Sequence, residues 1–204
     1  APNTAYLLLG ANLGDPVATF AAARAALARH GTVTAESRLF RSAPWGGAAV
    51  AGQPPYLNQA VALHTLLAPF ALLRLTQQVE AAAGRAPGAA RYAARLLDVD
   101  ILLFSTIEIE FGEELMLPHP RLAARRFALT PLADIAPDVL VPGPAPRRTV
   151  AELLAACPDR CRSRRWALLT EYCAHGTSLR SQPERFGLPK HHKFFLLCRQ
   201  LPQL

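Results

Sequence analysis

Asp98 and Asp100 stand two residues apart in the apolar run 97–104, LDVDILLF. On a strand, residues i and i+2 share a face, so this spacing projects both carboxylates together, and the same face continues as Leu102 and Phe104. Two neighbouring carboxylates repel unless a proton or a cation lies between them. Mg²⁺ is commonly held by one or two carboxylates plus substrate phosphates, not by an all-protein cage. The pair therefore reads as the protein's share of a nucleotide–metal site. The competing reading is an edge strand with two solvated acids.

Arginines crowd the same neighbourhood: Arg85, Arg91 and Arg95 before the pair, Arg121, Arg125 and Arg126 after it. Guanidinium forks match phosphate oxygens, and phosphoryl transfer needs mainly positioning and charge neutralisation. Tyr56 and Asn58 place an aromatic ring and a carboxamide at the start of a second strand, a pairing suited to a flat heteroaromatic ligand. Gln77 and Glu80 lie three apart on a helix, which equally describes an ordinary polar face. His119 sits between Pro118 and Pro120, as a phosphate donor or as a structural turn residue. The cysteines and histidines of residues 158–204 do not match zinc spacings.

The elements that must carry these residues can be read from pattern. Residues 4–9 form a strand. Asp15 and Pro16 then open a helix as cap and first helical residue, with Gly31 as its C′ residue. Residues 33–41 and 57–65 read as strands separated by a Gly/Pro loop, 42–55, and loops of that length are usually functional or disordered. Pro69 opens a second helix with Leu72, Leu75, Thr76, Val79 and Ala83 buried, ended by Gly84. A second loop, 84–95, leads into the Asp98–Asp100 strand. The segments PHPRLAARRF and PLADIAP read as short helices, and 149–156 as a last one. This order predicts an α+β fold, a ferredoxin-like sandwich with a mainly antiparallel sheet and helices packed on it.

The chain has 204 residues and a net charge of +7. Residues 1–157 hold 13 arginines, no lysine and 12 acids; residues 158–204 hold 9 basic and 3 acidic residues. The basicity thus belongs to the last quarter. With a near-neutral body and no RNP-type aromatic strands, a nucleic-acid partner is not expected. No apolar run reaches the roughly 18 residues of a membrane span, and no secretory signal is evident. All four cysteines lie at or beyond Cys157, so no disulfide scaffold supports the body, as fits a cytoplasmic enzyme. Residues 1–157 read as one domain. Residues 158–204 read as a basic, poorly ordered tail with too little apolar bulk to offset its ordering entropy.

Six segments occur in a recognisable order: YLLLGANLGDP, FRSAPWG, PPYLNQAV, LTQQVEAAAGR, RLLDVDILLF and LPHPRLAARRFALTPLADIAP. Over roughly residues 4–157 the chain resembles the 6-hydroxymethyl-7,8-dihydropterin pyrophosphokinase family. The resemblance implies transfer of pyrophosphate from ATP to a hydroxymethyl-dihydropterin in folate biosynthesis, with AMP released. It implies a pterin site of Tyr56 and Phe127 as stacking rings, Asn58 as ring-edge reader, and loop residues Ser42, Ala43 and Trp45. Two Mg²⁺ ions would be bridged by Asp98 and Asp100. ATP would contact Gln77, Glu80, Arg95, Ile101, His119 and Arg125, with Arg85, Arg91 and Arg95 as catalytic loop arginines. A monomer is expected. The sequence departs from the family's pattern at Pro87, at Tyr92-Ala93-Ala94 and at Met116. A D-x-D nucleotidyltransferase and a catalytically impaired pterin-binding homologue stay open as alternatives.

Overall fold

A computed structural model describes residues 1–85, 93–161 and 163–166 of the chain. Arg91, Pro87, Tyr92 and residues 167–204 lie outside the described residues. Through Trp166 the chain forms one compact unit.

Strand β1 (Asn3–Ala11) leads into α1 (Pro16–Leu27), followed by β2 (Gly31–Glu36), β3 (Phe40–Ser42) and β4 (Tyr56–Thr65). Helix α2 (Pro69–Ala82) returns the chain to β5 (Asp98–Phe104). A hairpin of β6 (Ile109–Phe111) and β7 (Leu115–Leu117) precedes α3 (Arg126–Ile135), α4 (Val150–Ala156) and the two-residue β8 (Arg164–Arg165). The main sheet runs β5-β1-β4-β3-β8, with β2 also pairing β4, and every pairing is antiparallel. The β-α-β-β-α-β order and the central β1–β4 pair are those of a ferredoxin-like sandwich, as the sequence pattern predicts.

Alternation along β1 and β5 sorts side chains to two cores. Leu7, Leu9, Val99 and Ile101 pack on one face against Phe20 and Leu27 of α1 and Leu72, Leu75 and Val79 of α2. Leu8, Leu102 and Leu103 face the other way, onto Ala128, Leu129 and Leu132 of α3 and Val150 and Leu153 of α4. Each fully buried leucine contributes about 1.5–3 kcal/mol. The second layer therefore anchors α3, whose first turn reaches the Asp98–Asp100 face.

Local rules account for three helix ends. Asp15 Oδ1 accepts the N–H groups of Val17 and Ala18, both at 3.1 Å, and so caps α1. Thr149 and Glu152 form a reciprocal capping box on α4. Gly84, at φ +98°, closes α2.

Some expectations are corrected. Gly31 is not a left-handed helix terminus: its φ of 169° is extended, and it opens β2 after a short 3-10 turn. A Cβ there would sit 2.2 Å from the carbonyl oxygen of His64, so close approach to β4 demands glycine. The single strand expected over 33–41 is two, β2 and β3. The loop 42–55 holds a 3-10 turn at Gly47–Val50. Phe104 does not share a face with Asp98 and Asp100: a bulge between the Tyr6–Leu103 and Leu7–Ile101 pairs places Leu102 and Leu103 together in the second core and returns Phe104 to the first. Helix α3 is continuous through Pro131, where two short helices are expected from the sequence.

Past Cys157, Asp159 bonds to the start of α3 and β8 pairs with Phe40 and Arg41 of β3. The Trp166 N–H donates to Leu39 O at 2.8 Å, and its side chain packs on the first core.

Candidate active site

Gly10 of β1 lies between Asp98 of β5 and Asn58 of β4 in the register of the sheet, and Leu8 lies beside Asp100. These residues form the floor of a cavity of about 180 Å³. At ordinary strand spacing the acidic end and the amide end stand roughly 10 Å apart. Because position 10 has no side chain, the floor between them is open. A Cβ there would lie 3.6 Å from Asn58 Oδ1 and 3.9 Å from Tyr56 Cδ1.

Ser42, Ala43, Trp45 and Val50 from the loop, Tyr56 at the start of β4, and Arg121, Arg125 and Phe127 around α3 supply the walls. The six residues expected at the pterin end (Ser42, Ala43, Trp45, Tyr56, Asn58, Phe127) thus line one cavity together with Arg95, Asp98, Asp100 and Arg125. Asn58 is 2% exposed, and its Nδ2 donates to Ser42 Oγ at 2.9 Å and to Phe40 O at 3.4 Å. Those bonds orient the amide with Oδ1 above Gly10. The rings of Trp45 and Phe127 lie 6.4 Å apart.

At the acidic end, Asp98 Oδ1 accepts from Arg95 Nη1 at 2.5 Å and from Arg85 Nη1 at 3.1 Å. Asp100 Oδ2 accepts from Arg125 Nη1 at 3.2 Å. Burial, reinforced by the Asp98 charge and opposed by Arg125 and Arg95, pushes the Asp100 carboxyl up to about 6. Arg125 is 8% exposed; its Cζ lies 5.1 Å from the Trp45 ring centre and 5.5 Å from that of Phe127. Its Nε is buried and makes no hydrogen bond. Arg121 Cζ approaches the Trp45 ring at 5.7 Å.

Of the residues expected to contact nucleotide, Glu80 is buried in α2. Its Oε1 accepts the Val99 N–H at 2.8 Å and its Oε2 pairs with Arg85 Nη1 at 2.5 Å. Burial raises its carboxyl to about 7, against the Val99 and Arg85 contacts. Gln77, one turn earlier, is exposed, so the two are divided between solvent and core. Ile101 is buried in the first core, on the opposite face from the carboxylates. None of these three lines the cavity. His119 stands behind Arg125: its Nε2 is 3.2 Å from Arg125 Nη1, and its Nδ1 accepts the Arg121 N–H at 3.1 Å. Burial and the two arginines lower its pKa to about 4.

Asn12 carries no role in the sequence reading, yet it joins three segments. Its Oδ1 accepts the Arg95 N–H at 2.7 Å, its N–H donates to Arg95 O at 3.0 Å, and its Nδ2 reaches Gln53 Oε1 at 3.2 Å and Pro54 O at 3.3 Å. Nothing in the GANLG stretch announces a link to residues 41 and 83 positions away.

Two carboxylates on one strand face, hemmed by arginines, fit an Mg²⁺ ion completed by water and phosphate oxygens. They do not fit an all-protein cage: no cluster of three or more His, Cys, Asp or Glu occurs among the described residues. No helix among the described residues is long and apolar enough to cross a membrane.

The family model for 7,8-dihydro-6-hydroxymethylpterin-pyrophosphokinase matches residues 6–137. The chain is 40% identical over 151 residues to the 2-amino-4-hydroxy-6-hydroxymethyldihydropteridine pyrophosphokinase of Methylorubrum extorquens, covering 73% of this chain and 92% of that protein. It is 43% identical over 139 residues to the enzyme of the same name from Bacillus subtilis, covering 67% and 80%. Among solved structures it resembles the Plasmodium falciparum HPPK-DHPS crystallised with pteroate, with a TM-score of 0.57 and 14% identity over 76% of this chain. The chain spans 42% of that longer chain, and the likeness speaks to the fold. With most of its body matched by the family model and two-fifths of its aligned residues shared with near-full-length relatives, the chain belongs to the 7,8-dihydro-6-hydroxymethylpterin-pyrophosphokinase family.

Proposed function

We propose that this chain transfers the terminal diphosphate of ATP to the hydroxymethyl group of 6-hydroxymethyl-7,8-dihydropterin, a step of folate biosynthesis. The observation that carries the reading is the single cavity in which Asn58, Tyr56 and Phe127 face the Asp98–Asp100 pair across Gly10. One end suits a flat heteroaromatic ring and the other a charged phosphate chain.

In this reading Tyr56 and Phe127 hold the pterin ring, and the fixed Asn58 amide reads its edge. The hydroxymethyl oxygen then lies toward the acidic end, where it forms a bond to the β-phosphorus. The bridging bond to the α-phosphate breaks, AMP departs with that electron pair, and the hydroxyl proton passes to solvent. Arg85, Arg95, Arg121 and Arg125 neutralise the phosphate charge, and the unpaired Arg125 Nε adds a buried donor. Asp98 and Asp100 would hold Mg²⁺, which when bound supplies charge neutralisation and alignment of the phosphates. With its carboxyl at about 6, Asp100 is mostly ionised at neutral pH. Arg91 would act from outside the described residues. Gln77, Glu80, Ile101 and His119 belong to the nucleotide side by family resemblance; the buried Glu80 and the half-buried His119 support that side by holding Val99, Arg85 and Arg125 in place. A cytoplasmic monomer completes the proposal, in keeping with the free thiols of Cys157 and Cys161.

The test is AMP release from ATP that depends on both Mg²⁺ and the pterin. AMP formed only in the presence of both supports the reading; no pterin-dependent AMP points to an impaired homologue.

A further inference from the structure

Helix α3 begins at Arg126 without a local cap: its N-cap residue is Arg125, whose side chain is turned to Asp100 and makes no capping bond. The first N–H groups of a helix need acceptors. Here the Arg126 N–H donates to Asp159 Oδ2 at 3.2 Å, from a residue 33 positions later. The other carboxylate oxygen, Oδ1, accepts the Cys161 N–H at 2.8 Å, so the capping group is itself held in a local turn. The link is reciprocal. Arg126 Nε donates to Asp159 O at 2.7 Å, and its Nη2 reaches Leu154 O at 3.3 Å and Cys157 O at 3.5 Å, the carbonyls that end α4. An anion thus meets the N-terminus of α3 and a cation the C-terminus of α4, both in the favourable sense of the helix dipole.

Arg126 is flanked by Arg125, on the Asp100 carboxylate, and Phe127, on the cavity wall. We propose that Asp159 is a positioning residue of the active site: by capping α3 from beyond α4 it sets where Arg125 and Phe127 stand in the cavity. The N-cap position is occupied by a residue committed to the site, so the cap comes from elsewhere in the chain. This inference rests on the functional reading above only for its ligand readout.

The experiment compares full-length wild type with Asp159→Ala, Asp159→Asn, Asp159→Glu and Thr149→Ala. Thr149→Ala removes the capping box of α4 in the same layer without touching the start of α3, and so controls for plain destabilisation. Binding of an unreactive pterin and of an ATP analogue is followed by calorimetry. In a Trp166→Phe background, the emission of Trp45, which packs on Arg121, Arg125 and Phe127, reports the site without any ligand. Asp159→Ala is expected to weaken pterin binding on the order of fivefold, lower kcat and shift Trp45 emission. Asp159→Asn, which keeps an acceptor oxygen, should return binding to within roughly twofold of wild type. Thr149→Ala should lower Tm alone. An Asp159→Ala protein that binds and emits like Thr149→Ala overturns the inference. Should Asp159→Ala fail to fold, Asp159→Glu decides: its carboxylate stands one methylene further out, and unchanged emission and binding overturn the proposal equally. Wild type that binds no pterin contradicts the functional reading instead, and Trp45 emission then judges this one.

Discussion

Asn12 Oδ1 accepts the backbone N–H of Arg95 at 2.7 Å, joining the end of β1 to the segment that delivers Arg95 to Asp98. Asn12 is 7% exposed, and its replacement by alanine removes three side-chain hydrogen bonds, to Arg95 N, Gln53 Oε1 and Pro54 O. Asn12→Ala is expected to lose about 1–3 kcal/mol of stability. With the Arg95 N–H no longer held by the Asn12 side chain, kcat should fall by about tenfold while pterin affinity changes little. Urea denaturation and steady-state kinetics on the folded variant check both halves; an unchanged kcat would dissociate Asn12 from the site.

Gly10 offers a steric test of the cavity floor. A methyl group there meets only ordinary contacts, at 3.6 Å and 3.9 Å, so Gly10→Ala should fold with nearly the wild-type Tm. The same methyl stands between Asn58 and the carboxylates, where the ring and its hydroxymethyl arm must pass. Pterin binding should weaken at least tenfold, with ATP-analogue binding retained. Pterin binding that survives intact would place the ring elsewhere.

The carboxylate pair sets activity against stability. Burial, reinforced by the neighbouring Asp98 charge, disfavours the Asp100 carboxylate in the folded chain and pushes its carboxyl up to about 6. Above pH 6, Asp100→Asn removes a charge that burial disfavours. It is expected to melt no lower than wild type in the absence of divalent metal, while kcat drops by on the order of a hundredfold or more. Melting curves with chelator, alongside turnover with Mg²⁺, read the two effects separately. Near-normal turnover would remove Asp100 from the metal site.

Glu80 gives a pH signature. Its carboxyl is raised from 4.5 to about 7 by burial, so the folded chain binds its proton more tightly than the unfolded chain. The stability it contributes is fully present below pH 4.5 and is lost as pH rises through 7. Wild type should therefore lose, relative to Glu80→Gln, on the order of 1–3 kcal/mol between pH 5 and pH 8. His119, lowered to about 4, acts with the opposite sign: its contribution is lost as pH falls from 6.5 toward 4. It is common to both proteins and cancels in the comparison. A pH-independent difference would mean that Glu80 is ionised throughout.

The shared face of Asp98 and Asp100 was legible because period-two alternation is a local property, whereas the grouping of Ser42, Ala43, Trp45, Tyr56, Asn58 and Phe127 came from resemblance to the family. Asp98 and Asp100 follow from spacing on a strand, and Asp15, Pro69 and Thr149 announce their helices. What was not legible is what distant segments impose. The bulge that turns Phe104 away from the acidic face depends on the β1 register. Gly31 is glycine because His64 O passes 2.2 Å from where its Cβ would be. Gln77 and Glu80 look alike in sequence, and only the packing of α2 on β5 makes one a surface residue and the other a buried acceptor for Val99. The roles of Asn12 and Asp159 arise from hydrogen bonds spanning 83 and 33 residues, for which pattern holds no signal.

The measurement that bears most directly on the whole account is the mass of the pterin product formed with ATP and Mg²⁺. Transfer of both terminal phosphates in one step adds a diphosphate to the hydroxymethyl oxygen and leaves AMP in equal amount. That pair of products, lost in Asp98→Asn and Asp100→Asn, is the expected result. A pterin carrying a single phosphate with ADP released, or an adenylylated pterin with free pyrophosphate, would contradict it.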